Sequence, residues 1–289
     1  MTELTRDTKI LIVGLGVMGG GYAKALTARG YRHIRCITKE QADIDYALAE
    51  GMIEYGTTEV DPRLIRSSEL IVFALYPGTF VDFISKHSSL FARGTLITDV
   101  TGVKGNIVSR VQAMLPEGVE FISAHPMAGR EKSGVEYSDA EVFKRANYSV
   151  VPTERNTREA IELCKRLGAE LGFSGISELS PEAHDSMIAH LSQLTHCIAV
   201  ALMGADGAEG LEKYTGDSFR DLTRIAKIND LMWSELFLEN KAALLEKMDS
   251  FSAKFATLRK MIEEGDREGL RAEMRCAAER RERFDKPKK

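Results

Sequence analysis

The stretch KILIVGLGVMGG, residues 9–20, constrains the fold more strongly than any other part of the chain. A short apolar run leads directly into the pattern GxGxxG, and a helix-forming sequence follows it. In this setting the first glycine permits a tight turn, the second lets the backbone approach a pyrophosphate, and the third lets helix and strand pack closely. The pattern predicts a dinucleotide site, and a glycine-rich turn without a ligand is the less favoured alternative. The residues expected to contact the dinucleotide are Gly14, Gly16, Val17, Met18 and Gly19.

Short β-branched runs alternate with helix-length segments through the first half of the chain, which predicts a doubly wound parallel sheet of the α/β class. The predicted strands are residues 10–13, 34–38, 70–74, 95–99, 120–123 and 149–151. Helical periodicity predominates after Ser180, a good N-cap, and Pro181, which suits a first helical position. We expect a dinucleotide-binding domain over residues 1–176 and an all-helical domain over residues 177–289.

Composition and charge argue against several classes of protein. The net charge of −4 offers no basic field to nucleic acid. The four cysteines lie far apart without CxxC pairing, which favours reduced thiols over a disulfide framework or a zinc site. The N-terminus lacks the pattern of a signal peptide, and no apolar run approaches the roughly 20 residues that cross a bilayer. We therefore expect a cytoplasmic protein without a nucleic-acid or membrane partner.

The end of the second predicted strand, IRCITKE, bears on the choice between NAD and NADP. An acidic residue at this point commonly binds the ribose hydroxyls of NAD, but Thr38 occupies the position. Thr38 can donate a hydrogen bond, and Lys39 or Arg35 can supply positive charge to a 2′-phosphate. This favours NADP. NAD remains an alternative, because Glu40 takes the role of the acid if the register differs by two residues.

The stretch SAHPMAGREKSG, residues 123–134, places a histidine between an apolar run and a proline. Proline and glycine make it a poor strand interior and a poor helix, so it is predicted to be a loop that leaves the end of a strand. Ligands of open α/β sheets collect where strands end, so His125 can meet a substrate there. A loop histidine with a purely structural hydrogen bond is the alternative.

Five segments together resemble the prephenate/arogenate dehydrogenase family of tyrosine biosynthesis. They are GLGVMGG, DVTGVKG (99–105), HPMAGREKSG (125–134), HLSQLTH (190–196) and SFRDLTRIAKINDLMW (218–233). The resemblance covers nearly the whole chain and implies an N-terminal Rossmann domain and a C-terminal helical domain that forms a homodimer. It also implies an oxidoreductase that oxidises a cyclohexadienol ring with a nicotinamide cofactor while the ring loses carbon dioxide.

The resemblance assigns roles to residues at matching positions. His125 is expected to take the proton of the ring hydroxyl as hydride leaves, which suits an imidazole. Arg224 is expected to bind a substrate carboxylate, and Asp221, three residues earlier on the same predicted helix, to orient it. On spacing alone, a surface ion pair is the better interpretation of that pair. His196 is expected to face the substrate.

Two further residues accompany Arg224 in this interpretation. Glu131, in the matching loop, is a gate or a partner of the arginine, and Arg220 is an alternative cation for the carboxylate. No metal site is predicted from the histidines of HLSQLTH and its neighbourhood. His184, His190 and His196 are six residues apart, which turns neighbours about 240° from each other on a helix, so no pair can chelate one ion. His184 and His190 are expected to pack or cap.

The chain departs from the family pattern at two points. The family commonly has a serine near the nicotinamide in its DxGSVK segment, and this chain has Gly102 there, preceded by Thr101. Either Thr101 supplies the hydroxyl as a catalytic residue, or a bound water does so. Asp230 stands where the family often has proline, at a helix start, and is not expected to alter the chemistry.

Two other functions stay open at this point. A β-hydroxyacid dehydrogenase would need a catalytic lysine in a glycine-rich helix, and neither Lys227 nor Lys241 has that surrounding. A non-catalytic NADP sensor would have no need to keep His125, Arg224 and Asp221 together. The choice between prephenate and arogenate cannot be made from these residues, and direct binding of tyrosine at the active site is the form of inhibition that the interpretation leaves open.

Overall fold

The computed structural model describes residues 3–128, 132 and 134–285. Six parallel strands form the first sheet in the order β3-β2-β1-β4-β5-β6. They are β1 (Ile10–Val13), β2 (Ile34–Ile37), β3 (Tyr55–Thr57), β4 (Leu70–Phe73), β5 (Leu96–Asp99) and β6 (Glu120–Phe121). This is the strand order of Rossmann domains. From β1 the chain adds strands first on one side of the sheet and then, from β4, on the other, and ligands of such sheets bind at this switch between β1 and β4.

Alternate residues of each central strand face opposite sides of the first sheet, as the two-residue period of a strand requires. Ile10 and Ile12 of β1 belong to one buried apolar cluster, and Leu11 and Val13 belong to another. Helices cover both faces, so the strands read as continuous apolar runs. The helices of this half are α1 (Val17–Ala28), α2 (Gln41–Ala49), α3 (Pro62–Arg66), α4 (Pro77–His87), α5 (Gly105–Met114) and α6 (Arg158–Leu171).

A second, three-stranded sheet corrects two expectations from the sequence. Its strands are β7 (Ser123–Pro126), β8 (Asn147–Val151) and β9 (Gly175–Glu178), and β7 runs antiparallel to β8. The predicted strand at 149–151 therefore belongs to this sheet and not to the parallel one. His125 lies inside β7, opposite Ser149, and not in a loop. Pro126 is tolerated because β7 is an edge strand of this sheet.

All elements after β9 are helical, which confirms the predicted fold class of a doubly wound parallel sheet followed by a helical region. The helices are α7 (Pro181–Ile188), α8 (Leu194–Gly204), α9 (Asp217–Thr223), α10 (Asp230–Glu239), α11 (Lys241–Glu264) and α12 (Arg267–Glu282). A π-helical turn, Ala189–Gln193, joins α7 to α8. Ser180 caps α7 by accepting from the Ala183 amide, as expected.

By contacts, the chain divides into two compact units, Met1–Lys241 and Ala242–Lys289. The boundary predicted near residue 176 concerns where the sheets give way to helices, and it stays a prediction. Everything described below as the candidate site lies in the first unit.

One helical stretch among the described residues, Pro181–Gly204, is long and apolar enough by length and composition to cross a membrane. The expectation that no apolar run is long enough to cross a bilayer is not met by this test, although polar residues interrupt the stretch. Three of these, His184, Asp185 and Gln193, are buried. Asp185 and Gln193 hydrogen-bond to residues outside the stretch, which favours a helix packed within the protein.

Phe80 tests the packing of the first sheet. Its fully buried ring lies 4.7 Å from the Phe73 ring and 5.5 Å from the Phe121 ring, between centroids. Phe80→Ala is expected to lower the free energy of unfolding by about 3–5 kcal/mol, measured by urea denaturation, because it leaves a cavity. Tyr214, which is 86% exposed, is the control, and Tyr214→Ala should change it by less than about 0.5 kcal/mol. A loss below about 1 kcal/mol for Phe80→Ala would contradict this packing.

Candidate active site

The glycine loop between β1 and α1 has the geometry that a dinucleotide requires. Gly14 has φ of +93°, and a Cβ added there would meet the Ala74 carbonyl oxygen at 2.5 Å. A Cβ added at Gly19 would collide with the Gly14 carbonyl oxygen and lie 3.1 Å from the Ile12 side chain of β1, so helix and strand lie too close for a side chain. Gly16, the N-cap of α1, has nothing within 4 Å of such a Cβ among the described residues. Val17 and Met18 open the helix there. The loop is therefore sealed on the protein side and open at Gly16, where helix amides can receive a phosphate.

The residues after β2 lie beside this loop. The Leu15 amide donates to Thr38 Oγ1 at 3.2 Å, and this bond leaves the Thr38 hydroxyl hydrogen available to donate. Lys39 follows and is exposed, as is Glu40, the N-cap of α2. Arg35 lies elsewhere. Its guanidinium donates to Ser67 and Ser68, which precede β4 and so mark the amino edge of the sheet, opposite to the cofactor edge. Arg35 precedes Thr38 by three residues, which is about 10 Å along a strand. Its side chain therefore does not reach the cofactor edge, and Arg35 is left out of the proposed cofactor site.

His125 forms a chain of hydrogen bonds with two residues of α7. Its Nδ1 lies 2.9 Å from His184 Nε2, and His184 Nδ1 lies 2.8 Å from Asp185 Oδ1. His125 is partly buried, and His184 is fully buried. Among the described residues, no hydrogen bond involves His125 Nε2. The outer nitrogen of His125 is therefore the one that can meet a substrate.

A buried ion pair holds the backbone that precedes His125. Lys104 Nζ donates to Asp99 at 3.0 Å and to the Ala124 carbonyl at 2.7 Å. Asp99 in turn accepts from the Ala124 amide at 3.0 Å and from the Ser123 hydroxyl at 2.6 Å. Both charged side chains are fully buried. Hydrogen bonds thus hold Ala124 at both its N–H and its C=O, which fixes the position of the next residue, His125.

Thr101 belongs to this buried network and not to the open crevice. Its hydroxyl donates to Asp99 or to the Val103 carbonyl, and it accepts from Lys104 Nζ at 3.3 Å. A hydroxyl has one proton to donate, and this one is already directed inward. The arrangement disfavours Thr101 as the catalytic hydroxyl of the first alternative. Gly102 is the residue that faces His125, because a Cβ added to it would lie 3.9 Å from His125 Nε2.

Helix α10 forms the wall opposite the glycine at 102. The nearest neighbour of a Cβ added at Gly102 is a Leu236 methyl group, at 3.5 Å. The Gly78 amide, at the start of α4, donates to the Glu235 carboxylate, which ties α10 to the carboxyl edge of the sheet. One turn earlier on α10, Trp233 stacks on the His196 ring with centroids 3.7 Å apart. His196 Nδ1 lies 2.8 Å from the Ser192 carbonyl, so this nitrogen carries a hydrogen.

The predicted carboxylate-binding group is only partly brought together. Arg224 is exposed and opens a 3₁₀ turn, Arg224–Ala226, directly after α9 ends at Thr223. Among the ion pairs between described residues, none joins Asp221 to Arg224. The expected orientation through three residues of one α-helix is lost because the helix changes its pitch there. Arg220 donates to Thr215 and Asp217 of its own loop. Glu131 lies outside the described residues.

Burial sets the charge states of this site. It lowers the pKa of His125 well below 6.5, and the neighbouring His184 and the Lys104 cation lower it further. Burial also lowers the pKa of His184, against the opposing hydrogen bond to Asp185. The pKa of Lys104 is lowered by burial as well, while Asp99 opposes the shift. His125 is therefore a neutral imidazole near neutral pH, which is the form that accepts a proton.

Sequence reasoning missed Asp99, Lys104 and Asp185 and gave His184 only a packing or capping role. The signal in the sequence was weak. Asp99 and Lys104 stand in the segment DVTGVKG, where a charged residue at the end of a buried strand indicates the edge at which ligands bind. The contact between His125 and His184 joins residues 59 apart, which no local spacing can reveal. Within the described part of the chain, no group of three or more His, Cys, Asp or Glu residues could hold a metal ion.

Comparison with known proteins gives matches over almost the whole chain. The profile "Prephenate dehydrogenase, nucleotide-binding domain" matches residues 22–175, and "Prephenate dehydrogenase, dimerization domain" matches residues 180–276. Prephenate dehydrogenase of Bacillus subtilis is 31% identical over 275 residues, which are 92% of this chain and 72% of that protein. Cyclohexadienyl dehydrogenase of Zymomonas mobilis is 28% identical and is covered to 89%, as is this chain.

A solved structure has the same fold throughout. Prephenate dehydrogenase from Aquifex aeolicus, in complex with hydroxyphenyl propionate and NAD⁺, superposes with a TM-score of 0.90 at 30% identity. The match covers 98% of this chain and all of that one. The chain described here therefore belongs to the prephenate dehydrogenase family.

Proposed function

We propose that this protein is a nicotinamide-dependent dehydrogenase that oxidatively decarboxylates prephenate to 4-hydroxyphenylpyruvate, or arogenate to tyrosine. The observation that carries the proposal is the position of His125. Its outer nitrogen is open, neutral and next to Gly102 at the carboxyl edge of a Rossmann sheet. Family membership supports the same reaction class, and it disfavours the β-hydroxyacid dehydrogenase alternative.

His125 is proposed to act as the general base. Its Nε2 takes the proton of the ring hydroxyl while the hydrogen on the same carbon leaves as hydride, which a bound nicotinamide accepts. The bond between ring and carboxylate then breaks, carbon dioxide leaves, and the electron pair makes the ring aromatic. The phenolate oxygen recovers the proton from His125, so the imidazole is neutral again at the end of the cycle. Gly102 supplies no hydroxyl to this step, and the Thr101 hydroxyl is directed inward. We therefore propose that a bound water takes the place of the serine hydroxyl common in the family.

The cofactor is proposed to lie on the glycine loop. Gly14 and Gly19 cannot accept a side chain, and Gly16 at the start of α1 leaves its amides accessible, which fits a pyrophosphate. We propose NADP as the preferred cofactor and NAD as the alternative. Thr38 presents no carboxylate to repel a 2′-phosphate, and exposed Lys39 can pair with one.

The substrate is proposed to lie between His125 and the stacked pair of His196 and Trp233. Trp233 offers an aromatic wall to a planar ring product, and Arg224 offers a guanidinium to a carboxylate. Whether the side chain of the acid is a keto acid or an amino acid is not distinguished by these groups. Direct inhibition by tyrosine, the cytoplasmic location and the absence of a membrane partner stay predictions.

A homodimer is proposed to form through the helical region. On α11, Met248, Phe251, Phe255 and Ile262 are exposed apolar residues at spacings of three, four and seven, so they share one helix face. Exposing such an apolar face to water is energetically unfavourable, and packing it against a second copy of the chain would bury it.

The assay that tests the function combines the purified protein with each acid and each nicotinamide in turn. Formation of reduced nicotinamide, followed by its absorbance, is expected with prephenate or arogenate, together with release of carbon dioxide. Bound cofactor without turnover of either acid would favour the sensor alternative.

His125→Asn tests the general base. It is expected to lower kcat by about 10² to 10⁴ with KM nearly unchanged, because the lost proton transfer occurs only in the transition state. Steady-state kinetics measure both constants. His190, exposed and on the same helical region as His184, gives the matched control, and His190→Asn should leave kcat unchanged. An undiminished kcat in His125→Asn would remove the residue from its role.

Lys39→Ala tests the cofactor preference. We expect KM for NADP to rise about tenfold and KM for NAD to stay constant, since a hydrogen bond to a charged group contributes about 1.5 kcal/mol. Lys9 precedes β1 at the opposite edge of the sheet, so Lys9→Ala serves as the control. An equal change in KM for NADP and for NAD would show that Lys39 does not bind the 2′-phosphate.

Arg224→Gln tests the carboxylate contact. KM for the acid should rise about 10- to 10²-fold with a small change in kcat, because this contact exists in both ground and transition states. Arg220→Gln is the matched control, since that guanidinium is engaged with Thr215 and Asp217. If Arg220→Gln raises KM and Arg224→Gln does not, Arg220 binds the carboxylate.

A further inference from the structure

Two residues of α7, His184 and Asp185, stand behind His125 on the side away from the crevice. We propose that they are positioning residues that fix which nitrogen of His125 carries its hydrogen, and so leave Nε2 ready to take the substrate proton. The proposal rests on the proposed function and adds two residues to it.

The direction of each hydrogen bond follows from the chemistry of the groups. An ionised carboxylate only accepts, so the hydrogen between His184 and Asp185 belongs to His184 Nδ1. In a neutral imidazole the other nitrogen is then an acceptor, and His184 Nε2 must receive a hydrogen from His125 Nδ1. His125 thus carries its hydrogen on Nδ1, and its Nε2 holds a lone pair toward Gly102.

Asp185 is held in place from its other side. Its Oδ1 accepts from the Lys104 amide at 2.9 Å, and its Oδ2 accepts from the Gly105 amide at 2.7 Å. These amides open α5, a helix of 10 residues, whose N-terminal dipole favours a negative charge. Both oxygens of the Asp185 carboxylate are therefore engaged as acceptors, so the group cannot rotate to present a different oxygen, which keeps the hydrogen on His184 Nδ1.

The carboxylate end of the same pair offsets part of the cost of the charge that His125 acquires when it takes the proton, a cost that comes from burial, the His184 ring and Lys104. The fully buried Lys104 cation, on the sheet side, opposes an imidazolium. His184 Nε2 accepts from that imidazolium, and the Asp185 carboxylate stands directly behind His184. This series of hydrogen bonds offsets part of the repulsion between Lys104 and the imidazolium, in the way that a buried carboxylate supports the histidine of a catalytic triad.

Three substitutions of His184 separate this role from simple packing. The amide of His184→Gln reaches the position of Nε2 and can accept from His125, whereas the amide of His184→Asn reaches the position of Nδ1 and can contact only Asp185. His184→Leu makes neither contact. We expect His184→Gln to keep kcat within about tenfold, and His184→Asn and His184→Leu to lose about 10²-fold, all with KM within about threefold. If His184 only packs, His184→Gln should keep no more activity than His184→Asn. Equal kcat values for these two variants, or a higher one for His184→Asn, would overturn the proposal.

A spectroscopic measurement tests the proposal without substrate. In protein labelled with ¹⁵N-histidine, the wild-type His125 resonances, assigned by their loss in His125→Asn, should show a protonated Nδ1 and a bare Nε2. His184→Asn should move His125 toward a mixture of both forms, and His184→Gln should not. A hydrogen on His125 Nε2 in the wild type would overturn the proposal. Because this readout needs no turnover, it stays decisive if the protein oxidises neither acid, which would refute the proposed function alone.

Discussion

The fully buried ion pair between Asp99 and Lys104 is the interaction on which the candidate site depends. Removing two charges from water is costly, and such a pair persists only when its remaining hydrogen-bonding groups are satisfied. Here Lys104 donates to Asp99, Thr101 and Ala124, and Asp99 accepts further bonds from Thr101, Ser123 and Ala124. The pair therefore joins the end of β5 to the start of β7, and it fixes the strand that carries His125.

The Lys104 cation of this pair also contributes to the charge state of His125. Burial disfavours an imidazolium most strongly, and His184 and the Lys104 cation add to this effect, so the pKa of His125 lies well below its ordinary value. A neutral imidazole next to a cofactor crevice is a competent base, and it returns its proton readily to a phenolate. The Asp99–Lys104 pair thus fixes the position of the base and contributes to its charge state.

The sequence predicted those parts of the fold that local patterns encode. The glycine motif and the apolar runs at 10–13, 34–38, 70–74 and 95–99 predicted a parallel sheet, and the strand order of a Rossmann domain confirms it. Strand β3 is three residues long and none of its residues is fully buried, so it left no apolar run to detect. The pairing of β7 with β8 could not be predicted, because it joins residues that are far apart in sequence. That pairing is also why His125 lies in a strand.

The site divides in the same way. Gly14 and Gly16 of the glycine motif and Thr38 at the end of β2, all predicted from local patterns, lie together at the carboxyl edge of the sheet. Arg35 and Thr101 were chosen for their chemical type, and the structure directs their side chains to Ser67, Ser68 and Asp99 instead. Asp185 reaches the amides of α5 across about eighty residues of chain. Contacts of this kind depend on the tertiary fold, and no single motif contains them.

The most direct test of this account is the titration of His125 in the free wild-type enzyme, followed by NMR of its ring resonances. The account predicts a midpoint well below 6.5, because burial, His184 and Lys104 all penalise the charged ring. A midpoint at or above 6.5 would mean that His125 is not the neutral, buried base described here, and the origin proposed for its reactivity would be wrong.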